Sequence, residues 1–135
     1  MNNKKFFGAL AEDIATKFLR KKGFIILERN YKNNLGEIDI VALEVKNPIQ
    51  YLAPRKFFSS SKIIFVEVKA QTQNQFGQAE ERINYFKQEK LKNLALLYLK
   101  EKRLTNHSFR IDAIRIDLSQ TPAQIKHIIS AVEED

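Results

Sequence analysis

Two short stretches, GEIDIVA (Gly36–Ala42) and FVEVKAQ (Phe65–Gln71), limit what this chain can become. Each has the alternating, β-branched character of a strand, and each carries charge at its centre: Asp39 in the first, Glu67 and Lys69 in the second. A buried charge without a partner is costly, or it shifts its pKa and becomes neutral. These charges therefore lie on a solvent face or serve a purpose. Side chains alternate across a strand, which assigns them to faces. Glu37, Asp39 and Val41 share one face, opposite Ile38, Ile40 and Ala42. Glu67 and Lys69 share a face with Ile63 and Phe65, opposite Ile64, Val66 and Val68. Antiparallel pairing of the two strands would bring Asp39 near Glu67 and Lys69.

The rest of the chain supplies the setting. Phe7, Leu10, Ala11, Ile14 and Phe18 recur at helical spacing and predict a first helix that ends at Gly23. FIILERNY follows as a strand from about Phe24, KNNLG as a turn, EIDIVALEV as strand two and KIIFVEVKAQ as strand three. Lys46–Ser61, with Pro48, Pro54 and three serines, reads as a loop. Leu91, Leu94, Ala95 and Tyr98 mark a second long helix, and SFRIDAIRIDL alternates as strand four. TPAQIKHIISAV reads as a closing helix, with Thr121 as cap, Pro122 in the first turn, and a stripe of Ile125, Ile128, Ile129 and Val132. The expected order is α-β-β-β-α-β-α, an α/β fold with a mixed central sheet flanked by helices. The 135 residues suit a single domain spanning 1–135, and 44% hydrophobic content suffices for a core.

The charge balance of +7 favours a polyanionic partner. The absence of cysteine excludes disulfides, thiolate zinc sites and a cysteine nucleophile. The apolar runs fall short of the roughly 18 residues that span a bilayer, and the N-terminal one is too short for a secretory signal, so a cytoplasmic location is expected. Two carboxylates and a lysine at a sheet edge suit phosphodiester hydrolysis. Hard oxygen ligands from Asp39 and Glu67 would hold Mg²⁺ or Mn²⁺, and Lys69 would orient the attacking water or stabilise developing negative charge. An ordinary solvated Glu–Lys pair is the competing reading of Glu67 and Lys69, but an aspartate in the neighbouring strand makes the combination more specific.

GEIDIVA, IIFVEVK, FRID near the C-terminus and the closing IKHIISA together resemble the YraN family of small bacterial proteins, across nearly the whole chain. More distantly they are similar to archaeal Holliday-junction resolvases and other PD-(D/E)xK nucleases. The resemblance implies a restriction-endonuclease-like fold and an endonuclease site. In that pattern Asp39, Glu67 and Lys69 carry the motif, and Glu12 matches a first-helix glutamate that completes the site. Glu37 is expected to be a helper or a turn residue. Lys87 and Lys90 match a basic helix start that could contact phosphates. Gln71 stands where the pattern is usually basic, and it is counted with the substrate contacts. The 46–61 loop is longer than the pattern's short turn. It offers Arg55 and Lys56 for phosphates beside Tyr51, Phe57 and Phe58 for bases, against an insertion that simply packs on itself.

Arg110 and Asp112 read as a structural ion pair, His107 as a loop residue, and His127 as no metal ligand. The expected function is metal-dependent cleavage of DNA, on branched or single-stranded forms, by a chain that can form a homodimer and has no membrane partner. A nucleic-acid-binding module without turnover and a protein-interaction protein remain as alternatives.

Overall fold

The computed structural model describes residues 3–45, 61–72 and 83–132. Among these the order is α1 (Asn3–Lys21), β1 (Ile25–Asn33), β2 (Gly36–Leu43), β3 (Ile63–Gln71), α2 (Tyr85–Glu101), β4 (Phe109–Asp117) and β5 (Gln124–Ile128). The strands form one sheet in chain order. All neighbours are antiparallel except β3 and β4, which run parallel and are joined across α2. Parallel neighbours need a long crossover, and a helix is the usual one. The fold is the expected mixed α/β type, with a helix on each side of the sheet.

The two sheet faces have separate cores. Ala11, Ala15 and Leu19 of α1 pack on Ile40, Ala42, Ile64, Val66, Ile114 and Ile116. Leu91, Leu94, Ala95 and Tyr98 of α2 pack on Tyr31, Ile38, Val41, Phe65 and Ile111. The α2 stripe is the one its spacing predicts. The α1 stripe is rotated from the expected one. Its fully buried line is Ala11–Ala15–Leu19, while Leu10 is exposed and Ile14 and Phe18 are half-buried. Two alanines let the helix backbone approach the sheet, a benefit that a periodicity of large residues does not register. Gly23, at φ 97°, ends α1 as expected: its N–H donates to Arg20 O, and that of Phe24 donates to Leu19 O.

The closing helix is not formed. Residues Gln124–Ile128 are strand β5, paired antiparallel with β4, and the Thr121–Pro122 bond lies in the turn before it, in cis. Ile125 packs on the α1 side and Ile128 on the α2 side, the alternation of a strand. Thr121 therefore caps no helix. Isoleucines three and four apart fitted a helix, but the far edge of β4 offers main-chain donors and acceptors that β5 satisfies. No helix among the described residues is long and apolar enough to cross a membrane.

β2 departs from simple alternation. Ile38 joins the α2-side core with Val41, whereas Ile40 and Ala42 join the α1-side core. The expected common face of Ile38, Ile40 and Ala42 is thus broken at Asp39. Across from it on β1, Asn30 takes φ 55°, a conformation that asparagine tolerates better than most residues.

Candidate active site

The ladder between β2 and β3 has its last pair at Ile40–Val66. At the next position Asp39 turns its carboxylate to β3, and Oδ2 accepts the Val68 N–H at 2.8 Å. A side chain thus does the work of a main-chain carbonyl, and the two strands part there. α1 lies on the opposite face from α2, yet the fork lets Glu12 meet the acids of β2. Carboxylate oxygens of Glu12, Glu37 and Asp39 all lie within 4.8 Å of one another. The Asn30 amide, with its nitrogen turned inward, donates to Glu12 at 3.1 Å and to Glu37 at 3.2 Å. Arg29 reaches Glu12 only at 3.9 Å and binds Asp13 at 2.8 Å.

A cleft of about 280 Å³ opens beside this group, lined by Glu37, Asp39, Glu67, Lys87, Lys90, Leu91 and Leu94. β3 and the start of α2 form its walls. Lys87 Nζ is ion-paired with Glu67 Oε1. Lys90 lies over Gly36, where a Cβ would come within 2.6 Å of its Cε. Gly36 sits at φ +146°, a turn conformation that favours glycine, while the flexible end of Lys90 can move aside from a Cβ.

The cluster holds more negative charge than its surroundings offset. Burial, then the Glu67 charge, pushes Asp39 up to about 7, against the hydrogen bond from Val68; Glu12 and Glu37 add to the rise. Burial also raises Glu12, opposed by Arg29. Without a cation Asp39 thus holds its proton to near neutrality. Hard carboxylate oxygens at this spacing, short of compensating charge, suit Mg²⁺ or Mn²⁺, and the residues present fit such an ion.

The cluster gathers Asp39, Glu12 and Glu37, and Glu67 joins them on the cleft wall. Glu37, expected as a helper, stands at ligand distance from the others. Lys87 and Lys90 line the cleft from α2. Lys69 shares the α2-side face of β3 with Glu67, as its parity requires, but its side chain is exposed and does not figure among the described lining residues. Gln71 ends β3, its carbonyl accepting the Leu118 N–H at 2.7 Å, also away from the cleft lining. Arg55, Lys56 and the aromatic residues of their loop lie outside the described residues.

A second charged group occupies the β4–β5 side. Arg110 Nε donates to Asp112 Oδ1 at 2.8 Å and Nη1 to Glu44 at 2.7 Å, the structural pair that was expected. Asp112 is fully buried and also accepts from His127 Nε2 at 2.8 Å and Ser130 N at 2.9 Å. Helical spacing does not show that role of His127; the pairing of β5 with β4 brings it to Asp112. His107 is the expected loop residue, its Nδ1 2.8 Å from Ser61 O.

The sequence profile described as "Uncharacterised protein family UPF0102" matches residues 11–116. A UPF0102 protein of Dictyoglomus turgidum is 41% identical over 119 residues, covering 88% of this chain and 87% of its own. Those of Caldanaerobacter subterraneus subsp. tengcongensis and Clostridium beijerinckii are each 36% identical, over 132 and 129 residues, and cover 96% and 94% of this chain and 96% and 93% of their own. The expected YraN resemblance is met at the level of this family.

Proposed function

We propose that this chain, which belongs to the uncharacterised protein family UPF0102, is a metal-dependent nuclease that hydrolyses DNA phosphodiester bonds, on branched or single-stranded forms. The observation that carries the reading is the group of Glu12, Glu37 and Asp39 oxygens within 4.8 Å, at a fork in the sheet beside a lysine-lined cleft. Structural acids are normally paired. Here burial, and after it the charge of the neighbouring acids, pushes Asp39 up to about 7. Perturbed carboxylates in a cleft mark a functional-site candidate.

Asp39 would hold Mg²⁺ or Mn²⁺ with Glu12 and Glu37, whose oxygens lie within 4.8 Å of its own, and Glu67, ion-paired with Lys87 on the cleft wall, would complete the set. The bound ion supplies a polarised phosphoryl oxygen and a water of lowered pKa. Asn30 and the Val68 N–H fix the carboxylates. Lys69, at the end of β3, swings its flexible stem to the substrate and positions the attacking water. Lys87 and Lys90 receive the phosphates on either side of the scissile bond. The net charge of +7 supports a polyanionic substrate.

The test is Mg²⁺- or Mn²⁺-dependent cleavage of a branched and a single-stranded DNA by wild type and Glu67→Gln. Wild type should cleave, and the variant should lose on the order of 100-fold or more in rate while DNA binding persists or strengthens. A wild type that binds DNA with a steep salt dependence yet cleaves nothing with either metal would replace this reading with that of a binding module.

A further inference from the structure

Of the acids at the fork, Glu67 is held differently from the rest. Glu12, Glu37 and Asp39 bring oxygens within 4.8 Å of one another, and Glu67 is not part of that group. Its Oε1 is ion-paired with Lys87 Nζ instead. The two side chains of the pair are confined unequally: that of Glu67 is 17% exposed on the cleft wall, that of Lys87 50% exposed. Lys87 is fixed at its backbone, where its N–H donates to Asn84 Oδ1 at 3.0 Å in the capped first turn of α2. From that fixed point a flexible four-carbon stem carries the ammonium into the cleft. The pair is not what seats α2, because Leu91, Leu94, Ala95 and Tyr98 bury that helix against the sheet. A half-exposed ion pair adds little to such packing. Lys90, the other lysine of the cleft, lies over Gly36.

We infer that Lys87 is an exchangeable counter-ion: it occupies Glu67 while the metal site is incomplete, releases it to an incoming divalent cation, and turns its ammonium to a phosphate of the bound strand. The inference rests on the nuclease reading and deepens it by naming how that site is regulated, with metal and DNA each favouring the other. An ammonium at ion-pair distance and a divalent cation on the same carboxylate repel each other, and more strongly in a cleft than in bulk water. Lys87 therefore gives way when the cation takes Glu67, and a phosphate in the cleft is the anion nearest to the freed ammonium. In the other direction, a phosphate that draws Lys87 away leaves the Glu67 charge uncompensated and available to the cation. Thermodynamic linkage makes the two effects equal. A permanent brace fits the pair less well, since one partner is half in solvent and the helix that carries it is seated by its own apolar stripe.

The test needs no turnover. Mn²⁺ affinity is read from the electron paramagnetic resonance of the free ion, without DNA. Lys87→Met keeps an unbranched stem without the charge and should bind Mn²⁺ about 3- to 10-fold more tightly than wild type, since one competitor for Glu67 is gone. Lys90→Met, which removes the cleft cation that lies over Gly36, should change Mn²⁺ affinity by less than about twofold. DNA affinity is read from the fluorescence anisotropy of a labelled single-stranded oligodeoxynucleotide in metal-free buffer. Glu67→Gln, which frees Lys87, should bind it about 3- to 10-fold more tightly than wild type, and the double variant Glu67→Gln/Lys87→Met no more tightly than Lys87→Met alone. Equal Mn²⁺ affinity in Lys87→Met and wild type overturns the inference, and so does a gain in DNA affinity that survives in the double variant; either leaves the nuclease reading standing. An equal tightening of Mn²⁺ binding in Lys90→Met overturns it in favour of a general effect of charge. Weaker Mn²⁺ binding by Lys87→Met with a lowered melting temperature makes the pair a structural brace and overturns it as well. A wild type that binds neither Mn²⁺ nor DNA removes the nuclease reading and this inference together.

Discussion

Asp39 and Asp112 are both aspartates in apolar strands of one sheet, and their surroundings pull them in opposite directions. Burial would raise Asp112, but hydrogen bonds from His127, Arg110 and Ser130 hold its carboxyl below the usual range. Burial raises Asp39 as well; there the Glu67 charge adds to the rise, the single Val68 N–H opposes it, and the result is about 7. The same residue type is thus saturated with donors on the β4–β5 side and crowded with acids at the β2–β3 fork. Charge buried for architecture comes with its partners. Charge held at the fork has weaker partners, Arg29 at 3.9 Å from Glu12 and a single N–H on Asp39, which is the setting that the proposed metal site would use. The two groups should therefore respond differently to every perturbation that reaches both.

The largest difference concerns stability. Asp112→Ala leaves Arg110 and His127 without their shared acceptor inside the protein, and truncating one partner of a buried pair costs about 3–5 kcal/mol. Urea denaturation should show that loss, with metal affinity of the remaining folded protein unaltered. A loss under 1 kcal/mol would mean that the β4–β5 network is ornamental and the comparison has no structural side.

Activity gives the mirror image. Lys69 is exposed, so Lys69→Ala should alter stability by no more than about 1 kcal/mol. Metal-dependent cleavage should nevertheless fall on the order of 100–1000-fold, or ~3–4 kcal/mol, because the lysine acts only when charge develops. If Lys69→Ala cleaves as wild type does while Lys87→Ala does not, the ammonium that serves the reaction is the one already beside Glu67.

Metal binding should separate the clusters again. An ion that binds the folded chain alone raises stability by about 2.7 kcal/mol at 100 times its Kd. Mg²⁺ or Mn²⁺ should raise the melting temperature of wild type and of Lys69→Ala, and leave that of Asp39→Asn unmoved. An equal rise in Asp39→Asn would place the ion elsewhere.

These contrasts were legible in the sequence to unequal degrees. β3 is regular, so counting by two placed Glu67 and Lys69 on the α2 side with Ile63 and Phe65. Arg110 and Asp112, two apart on β4, were rightly paired for the same reason. The fork was not legible, because it depends on Asn30 of β1 and Val68 of β3, neither adjacent to Asp39 in the chain. Counting by two therefore misplaced Ile38. Glu37 was underrated for a related cause: its nearness to Glu12 depends on how closely Ala11 and Ala15 let α1 approach. The isoleucines of β5 satisfy both the helical and the strand period, and only the open edge of β4 decides between them. The contact of His127 with Asp112 depends on the same edge.

The smallest expected effect is also the one whose sign distinguishes the two aspartates most cleanly. A carboxyl raised on folding binds its proton more tightly in the native state, so stability falls as pH rises between the unfolded and folded values. For Asp39 the window runs from 3.8 to about 7. Its contribution is fully present below that window and lost above it. Asp112, lowered on folding, contributes above its ordinary value of 3.8, and loses that contribution as pH falls through its folded value. A shift of the size at Asp39 corresponds to about 1.4 kcal/mol per unit, and water in the open cleft screens it, leaving on the order of 2 kcal/mol. Metal-free wild type should therefore weaken by about 1 kcal/mol between pH 5 and pH 8, an interval that covers about two of the window's three units. Asp39→Asn keeps an oxygen for the Val68 N–H and carries no charge, so it should be flatter over that interval and more stable than wild type at pH 8. Saturating Mg²⁺ or Mn²⁺ should flatten the wild-type profile too, since the ion takes the place of the proton. Chemical denaturation from pH 5 to pH 8, with and without metal, measures all three curves. A metal-free Asp39→Asn that weakens as steeply as wild type would assign the fall to another group and remove Asp39 from its side of the comparison.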